Sequence, residues 1–320
     1  MLTDLPLAQL RSYRHPRRPP TGLREFWDDT LATSRAAGGE VIVERLDHPM
    51  RTLTVHDVTF PGFGGEPIRA WWLLPPDPAG VVIEFLGYGG GRGLPHERTL
   101  WATHGYAYLV VDSRGQGSIW NTGDTPDPHG SGPAAPGMLT RGVEAPEHLY
   151  YRRLLTDAVR AVDAVPQLPA GAGQPIAVVG HSQGGAMSLA AAALHDDVAA
   201  AFARTPYLCG IARSVEVAGE GPYRELGTYL ATYRDRGERT LAALDHVDVA
   251  HLSSWIGCPT MISVGLGDLI CPPSGIFAAI NAMSPPPETC VWPHNGHEGG
   301  GAHDDACLAG WLDHHLRGVS

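Results

Sequence analysis

Three residues far apart in the chain have the types and the order that nucleophilic acyl chemistry needs: Ser182, Asp268 and His297. Ser182 lies in Gly180-His181-Ser182-Gln183-Gly184, between a buried apolar run at 176–179 and an Ala-rich tract that ends near His195. A serine at a tight strand-to-helix turn is held in strained backbone geometry with its hydroxyl clear of the sheet. Glycines two residues away on either side let strand and helix approach each other. A serine hydroxyl is a poor nucleophile at neutral pH. An imidazole must take its proton, and a carboxylate must hold that imidazole in the right tautomer. Asp268 follows the apolar run 261–264, within Gly265-Leu266-Gly267-Asp268, and His297 follows 290–292, within His294-Asn295-Gly296-His297-Glu298. The order Ser, Asp, His suits strands that each deliver one group to the same edge of a sheet. His294 and His303 are rival bases that lie less well in their segments, and Glu298 either fixes the histidine loop or is simply exposed.

A developing oxyanion needs two donors. The amide of Gln183 and the start of its helix supply one, and the loop Gly87-Tyr88-Gly89-Gly90-Gly91-Arg92-Gly93 supplies the other, through the amide of Tyr88. A phosphate loop is the competing reading of those glycines, but they are out of Gly-x-Gly-x-x-Gly register and no lysine follows. Metal hydrolysis is the other class to weigh. His96-Glu97 and His297-Glu298 each begin a zincin-like pattern, yet Leu100 and Gly301 stand where the second histidine is needed. A set made of His294, His297, His303 and Asp304 stays open as a lesser alternative.

The totals bound the rest. The 320 residues are enough for a large core without staples, and the chain carries 34 acidic against 23 basic groups, net −11. That balance disfavours nucleic acid and anionic membrane as partners. Every basic residue is arginine; the absence of lysine removes Schiff-base and Ser-Lys chemistry. Five cysteines without a C-x-x-C pair argue against a disulfide framework. The first residues, from Met1 to Pro6, lack a charged segment followed by an apolar run, and nothing approaches about 18 consecutive apolar residues. These features predict a soluble, cytoplasmic protein.

The positioning elements follow from periodicity. Residues 1–36 form an appendage in which Leu23, Phe26, Trp27 and Leu31 recur at helical spacing. Alternation from 41 to 74, broken at Pro61-Gly62-Phe63-Gly64-Gly65, predicts an antiparallel hairpin at a sheet edge. Runs at 81–85, 106–112, 176–179, 200–207, 261–264 and 290–292 read as short parallel strands. Helices are predicted near 97–104 and over 147–165, the latter with arginine and aspartate opposite its apolar face. The result is an α/β fold, a mostly parallel central sheet with helices on both faces, in one domain covering 1–320. Residues 113–146, which lack periodicity, and 208–254, which read as helical, decorate it near the site.

The sequence resembles the acetyl xylan esterase and cephalosporin-C deacetylase family, carbohydrate esterase family 7, along nearly its whole length. The likeness rests on Leu5-Pro6 with the Phe26-Trp27 helix, Gly87-Tyr88 with Gly90-Gly91-Arg92-Gly93, and Arg114-Gly115-Gln116-Gly117-Ser118. It continues through Tyr150-Tyr151-Arg152-Arg153, Gly180-His181-Ser182-Gln183-Gly184-Gly185, Cys271-Pro272-Pro273-Ser274 and His297-Glu298. The resemblance implies an α/β-hydrolase fold, Ser182 as nucleophile, His297 as base, Asp268 as its orienting acid, and an oxyanion hole at Tyr88 and Gln183. It implies that Arg114, Gln116, Trp120 and Glu298 shape the site rather than react. It further implies an intracellular enzyme without cofactor or metal requirement, assembled as a homohexamer whose sites face an internal cavity. Small acetylated substrates would enter, such as xylo-oligosaccharides and cephalosporin C. Two departures stand out: Gly89, where members often carry Asn, and Ile119, in the variable position before Trp120.

The expectation is therefore a serine esterase acting on small acetyl esters. A broader carboxylesterase or peptidase on the same scaffold, and a non-catalytic protein that binds glycans or a protein partner, are the alternatives.

Overall fold

The computed structural model describes residues 4–130 and 132–318. Met1, Leu2 and Thr3 of the predicted appendage, Ser131 of the 113–146 stretch, and residues 319–320 lie outside the described residues.

The strands are β1 (Ile42–Leu46), β2 (Thr54–Pro61), β3 (Pro67–Leu74), β4 (Val81–Phe85), β5 (Ala107–Val111), β6 (Ile176–His181), β7 (Val198–Arg204), β8 (Thr260–Gly265) and β9 (Glu288–Trp292). They form one sheet in the order β1-β2-β3-β5-β4-β6-β7-β8-β9. From β5 onward every pairing is parallel, and β1, β2 and β3 are antiparallel to their neighbours. The predicted edge hairpin is thus a three-stranded ribbon, since β1 adds to it with Ile42 opposite Thr59. Glu44 and Arg45 on β1 leave that free edge charged, which discourages pairing with another chain.

Helices α1 (Leu7–Leu10) and α2 (Leu23–Ala36) precede the sheet. They are followed by α3 (Leu100–Thr103), α4 (Tyr150–Ala164), α5 (Gln183–Leu194), α6 (Ile211–Val217), α7 (Tyr223–Thr232), α8 (Gly237–Leu244), α9 (Val249–Leu252), α10 (Pro273–Ile280) and α11 (Ala302–Leu312). Strand alternation divides the core in two. Val81, Ile83 and Phe85 of β4 face α4 and α5, whereas Val82 faces Trp101 of α3 and Trp311 of α11. The predicted helix over 97–104 breaks into a single 3-10 turn at Pro95–Glu97 and the short α3. Arg98 between them is extended, and its guanidinium donates to Glu84 at 2.7 Å.

Helix α4 departs from its predicted amphipathic form. Arg153 and Asp157, expected on a solvated face, are buried. Their counter-charges arrive from the 113–146 stretch: Arg153 forks onto Asp127, and Asp157 receives Nε and Nη2 of Arg114 at 2.5 and 2.8 Å. Two buried planar pairs of this kind are worth keeping only when fully bonded, and here they pin an otherwise irregular segment to the helix. Asp112, at the end of β5, does the same for the start of that segment. Its carboxylate accepts from the amides of Arg92, Ser113, Asp124 and Thr125.

The N-terminal segment crosses the 208–254 stretch and α10. Trp27, fully buried, donates from its indole to His246 O, and Asn281 donates to Leu10 O and Tyr13 O. No helix among the described residues is long and apolar enough to cross a membrane.

Candidate active site

Ser182 stands alone between β6 and α5 with φ +57° and ψ −116°, a conformation that costs a non-glycine residue about 1–3 kcal/mol. The neighbouring glycines are required by contact. A β-carbon on Gly180 would meet the Gly184 carbonyl carbon at 2.2 Å, and one on Gly184 would meet Phe85 O at 2.0 Å. The turn is also anchored sideways, with Ser182 N donating to Arg204 O and Tyr207 N donating to Ser182 O.

Asp268 and His297 arrive on the loops after β8 and β9. These loops touch closely, because a β-carbon on Gly265 would lie 2.1 Å from Gly296 O, and Gly267 N donates to Asn295 O. His297 Nδ1 is 2.9 Å from Asp268 Oδ2, and the buried carboxylate accepts from the amides of Ile270 and Cys271 through Oδ1. The carbonyl of His297 is held by His181 Nε2 at 2.7 Å and by the Thr205 hydroxyl at 2.9 Å. Ser182, His181, His297, Gly87, Tyr88 and Trp120 line one cavity of about 470 Å³. Burial, and then the neighbouring His297, lower His181 to about 4, so it is a neutral donor at pH 7.

The first amide of α5, that of Gln183, has no intrahelical acceptor by position and points with the helix dipole. The turn carrying Tyr88 is braced by Gln116, whose Oε1 accepts from Gly89 N at 2.6 Å. Its Nε2 donates to Gln183 Oε1 and to the Tyr150 hydroxyl, both at 2.8 Å, and that hydroxyl donates to Arg114 O. Arg114 and Gln116 therefore lie behind the cavity and do not line it. Trp120, half exposed, lies over Gly90 and donates to Tyr88 O at 2.8 Å. Glu298 is exposed, and Asn295 and the Gly296 amide donate to it, so it ties the histidine loop to itself.

Both departures meet at one spot. Gly89 has φ +77°, and a β-carbon there would come within 2.5 Å of Ile119 Cδ1. The isoleucine occupies the space that a side chain on the glycine would need. Among the described residues, the clusters able to hold a metal exclude His294, His303 and Asp304; Asp304 is instead engaged by Arg204 and Trp292.

Four neighbours of the site were not singled out as chemically active from the sequence. Cys271 is buried, with its sulfur near Asp268, His297 and Ser182, and burial pushes the thiol up. The Asp268-x-x-Cys271 spacing was the available signal. His181 adjoined the serine in the motif, and Arg98 lines the cavity near Trp120. Glu225 on α7 bonds the Tyr88 hydroxyl from 137 residues away, and no local pattern announced it.

An open, mostly parallel sheet that presents an elbow serine beside an Asp–His pair defines an α/β hydrolase. Within that class the chain belongs to the acetyl xylan esterase (AXE1) family, whose model matches residues 1–315. It is similar to the solved acetyl xylan esterase from Paenibacillus sp. R4, with 33% identity and TM-score 0.90 over 98% of this chain and 100% of that one. Acetyl xylan esterase 1 from Thermoanaerobacterium sp. JW/SL YS485 aligns at 26% identity and TM-score 0.87, covering 95% and 97%. Acetyl esterase Axe7A of Xylanibacter ruminicola is 31% identical over 161 residues, which are 50% of this chain and only 36% of that protein's length.

Proposed function

We propose that the protein is a serine esterase that removes acetyl groups from small soluble carbohydrates, acetylated xylo-oligosaccharides foremost and cephalosporin C as a second substrate. The observation that carries this reading is the 2.9 Å contact of His297 Nδ1 with Asp268 Oδ2 beside an elbow serine in the same cavity. Family membership supports the acetyl-ester class.

In the proposed reaction Ser182 Oγ attacks the acetyl carbonyl carbon while its proton passes to Nε2 of His297. Asp268 keeps Nδ1–H pointing inward and stabilises the imidazolium. The carbonyl oxygen, now anionic, accepts from the amides of Tyr88 and Gln183. The bond to the sugar oxygen breaks, and His297 returns the proton to that oxygen. Water then gives a proton to His297 as its oxygen attacks the acetyl carbon; the bond to Ser182 Oγ breaks, His297 returns the proton to Oγ, and acetate leaves.

Acetate release from acetylated xylo-oligosaccharide and from cephalosporin C, by the wild type and by Ser182→Ala with a chelator present, tests the reading. Release by the wild type alone is expected; equal release by both proteins would overturn it. By the same family likeness we assign the protein a cytoplasmic location and a hexameric assembly, and a monomer mass in light scattering would refute the assembly.

A further inference from the structure

The turn at His15 and the ends of α8 and α9 bring together side chains that the esterase reaction does not use. His15, Asp245 and His251 each offer a ligand atom, and these atoms lie within 4.8 Å of one another. The three side chains are 10%, 7% and 3% exposed. None of them lines the cavity that holds Ser182.

Two details point to a missing partner. His251 Nε2 is buried without a hydrogen-bond partner among the described residues and is 3.6 Å from Asp245 Oδ1, too far for a good bond. His15 Nδ1 lies 2.8 Å from Arg17 O and 3.0 Å from Arg17 N; in the tautomer that donates to the carbonyl, the Nε2 lone pair is left for the cluster. A ring nitrogen bonded to a backbone carbonyl is the usual support of a metal-ligating histidine. In that tautomer Nε2 sits 3.1 Å from Asp248 Oδ2, an arrangement of two acceptors that needs a cation between or beside them.

Charge balance agrees. Asp245 and Asp248 are both buried, Asp245 receives one guanidinium nitrogen from Arg17 at 2.7 Å, and Asp248 is otherwise held by backbone amides of Gly210, Ile211 and Ala250. With neutral histidines, one guanidinium, which also forks onto the exposed Glu238, faces two buried carboxylates.

We propose that His15, Asp245 and His251 form a structural site for a divalent cation of the zinc class, fastening the N-terminal segment to the helical 208–254 stretch. Metal–nitrogen and metal–oxygen bonds of about 2.0–2.2 Å put tetrahedral ligands about 3.3 Å apart. The 3.6 Å separation of His251 and Asp245 closes to that with a shift of a few tenths of an ångström. Two imidazoles and one carboxylate favour a zinc-class ion over magnesium or calcium, which take oxygen ligands.

Cobalt(II) serves as the probe, added to the full chain after chelator dialysis. The wild type should bind one cobalt per chain with the visible absorption of a four-coordinate nitrogen–oxygen site, and zinc should raise its melting midpoint. His251→Ala and, separately, His15→Ala should weaken cobalt binding at least about a hundred-fold. Cys271→Ser separates this site from the Asp268, Cys271 and His297 cluster, where cobalt would give a near-ultraviolet thiolate band. No stoichiometric cobalt in the wild type would overturn the proposal, as would a visible band that survives in either histidine variant. The first result would mean that His15 meets Asp248 as an imidazolium instead.

Discussion

The hydroxyl of Tyr88 donates to Oε1 of Glu225 and accepts from the amide of Met138 at 2.7 Å, while Glu225 Oε2 accepts from the amide of Leu139. One phenol thereby joins the glycine-rich loop that carries Tyr88, the 113–146 stretch and helix α7, and burial raises both the Tyr88 and Glu225 pKa values.

Tyr88→Phe keeps the backbone amide and removes this junction. It leaves a half-buried carboxylate short of a donor, so urea unfolding should show a loss of about 1 kcal/mol. Turnover should fall about ten- to a hundred-fold through displacement of the loop. Tyr88→Phe combined with Glu225→Gln should cost less than the sum of the two single changes. An unchanged turnover in Tyr88→Phe would limit the junction to a stabilising role.

Strain at the elbow gives a test that separates chemistry from stability. Ser182→Ala and Ser182→Gly should each lose about 10⁴-fold or more of turnover. Their stabilities should differ, because only glycine tolerates φ +57° freely. Relief of about 1–3 kcal/mol, less about 0.5–1 for the greater freedom of glycine in the unfolded chain, leaves Ser182→Gly more stable than Ser182→Ala by about 1 kcal/mol. Equal melting midpoints would contradict the strain.

His181 makes the fold sensitive to acid. Its pKa is lowered to about 4 in the folded chain from the ordinary value near 6.5, so the unfolded chain binds more protons between those values. Stability is therefore fully present above pH 6.5 and is lost as pH falls toward 4. Linkage puts the loss between pH 7 and pH 5 at about 2 kcal/mol. His181→Gln keeps a donor for the His297 carbonyl without titrating, and its urea midpoint should change less over that interval. A matching pH slope in the variant would assign the sensitivity to other groups.

Trp120 lines the cavity that holds Ser182, and Ile119 packs against Gly89 next to it. Trp120→Ala opens the wall above Gly90 and removes the bond to Tyr88 O. Hydrolysis of p-nitrophenyl butyrate relative to the acetate should rise several-fold while the acetate rate itself falls. A pocket worth about 1–3 kcal/mol per methylene sets the scale of that shift. An unaltered ratio, or octanoate preferred already by the wild type, would move the acyl pocket elsewhere.

The elbow and the chain order of Asp268 and His297 were legible because they are local: each follows a short apolar run and sits among glycines that a turn requires. The sheet was legible in kind, since continuous apolar runs at regular spacing require cover on both faces. Strand β1 was read as part of the first run of the hairpin and not as a strand of its own, because its pairing with β2 is a tertiary choice and its own residues are largely exposed. Arg153 and Asp157 looked like a solvated helix face, as charges at helical spacing ordinarily are. What buries them is Asp127 and Arg114, brought back by a loop with no periodicity. Glu225 and His251 were silent for the same reason, each defined by a partner more than a hundred residues away.

The Tyr88 junction also has a kinetic meaning. Its partners lie 50 and 137 residues further along the chain, so it closes only when two long stretches of chain have been brought back to it. Closing such distant contacts is the slow, entropically costly part of folding. Strand and helix signals should thus recover first after dilution from denaturant, and ester hydrolysis last, which makes the enzyme's own turnover a clock for the final closure of the chain.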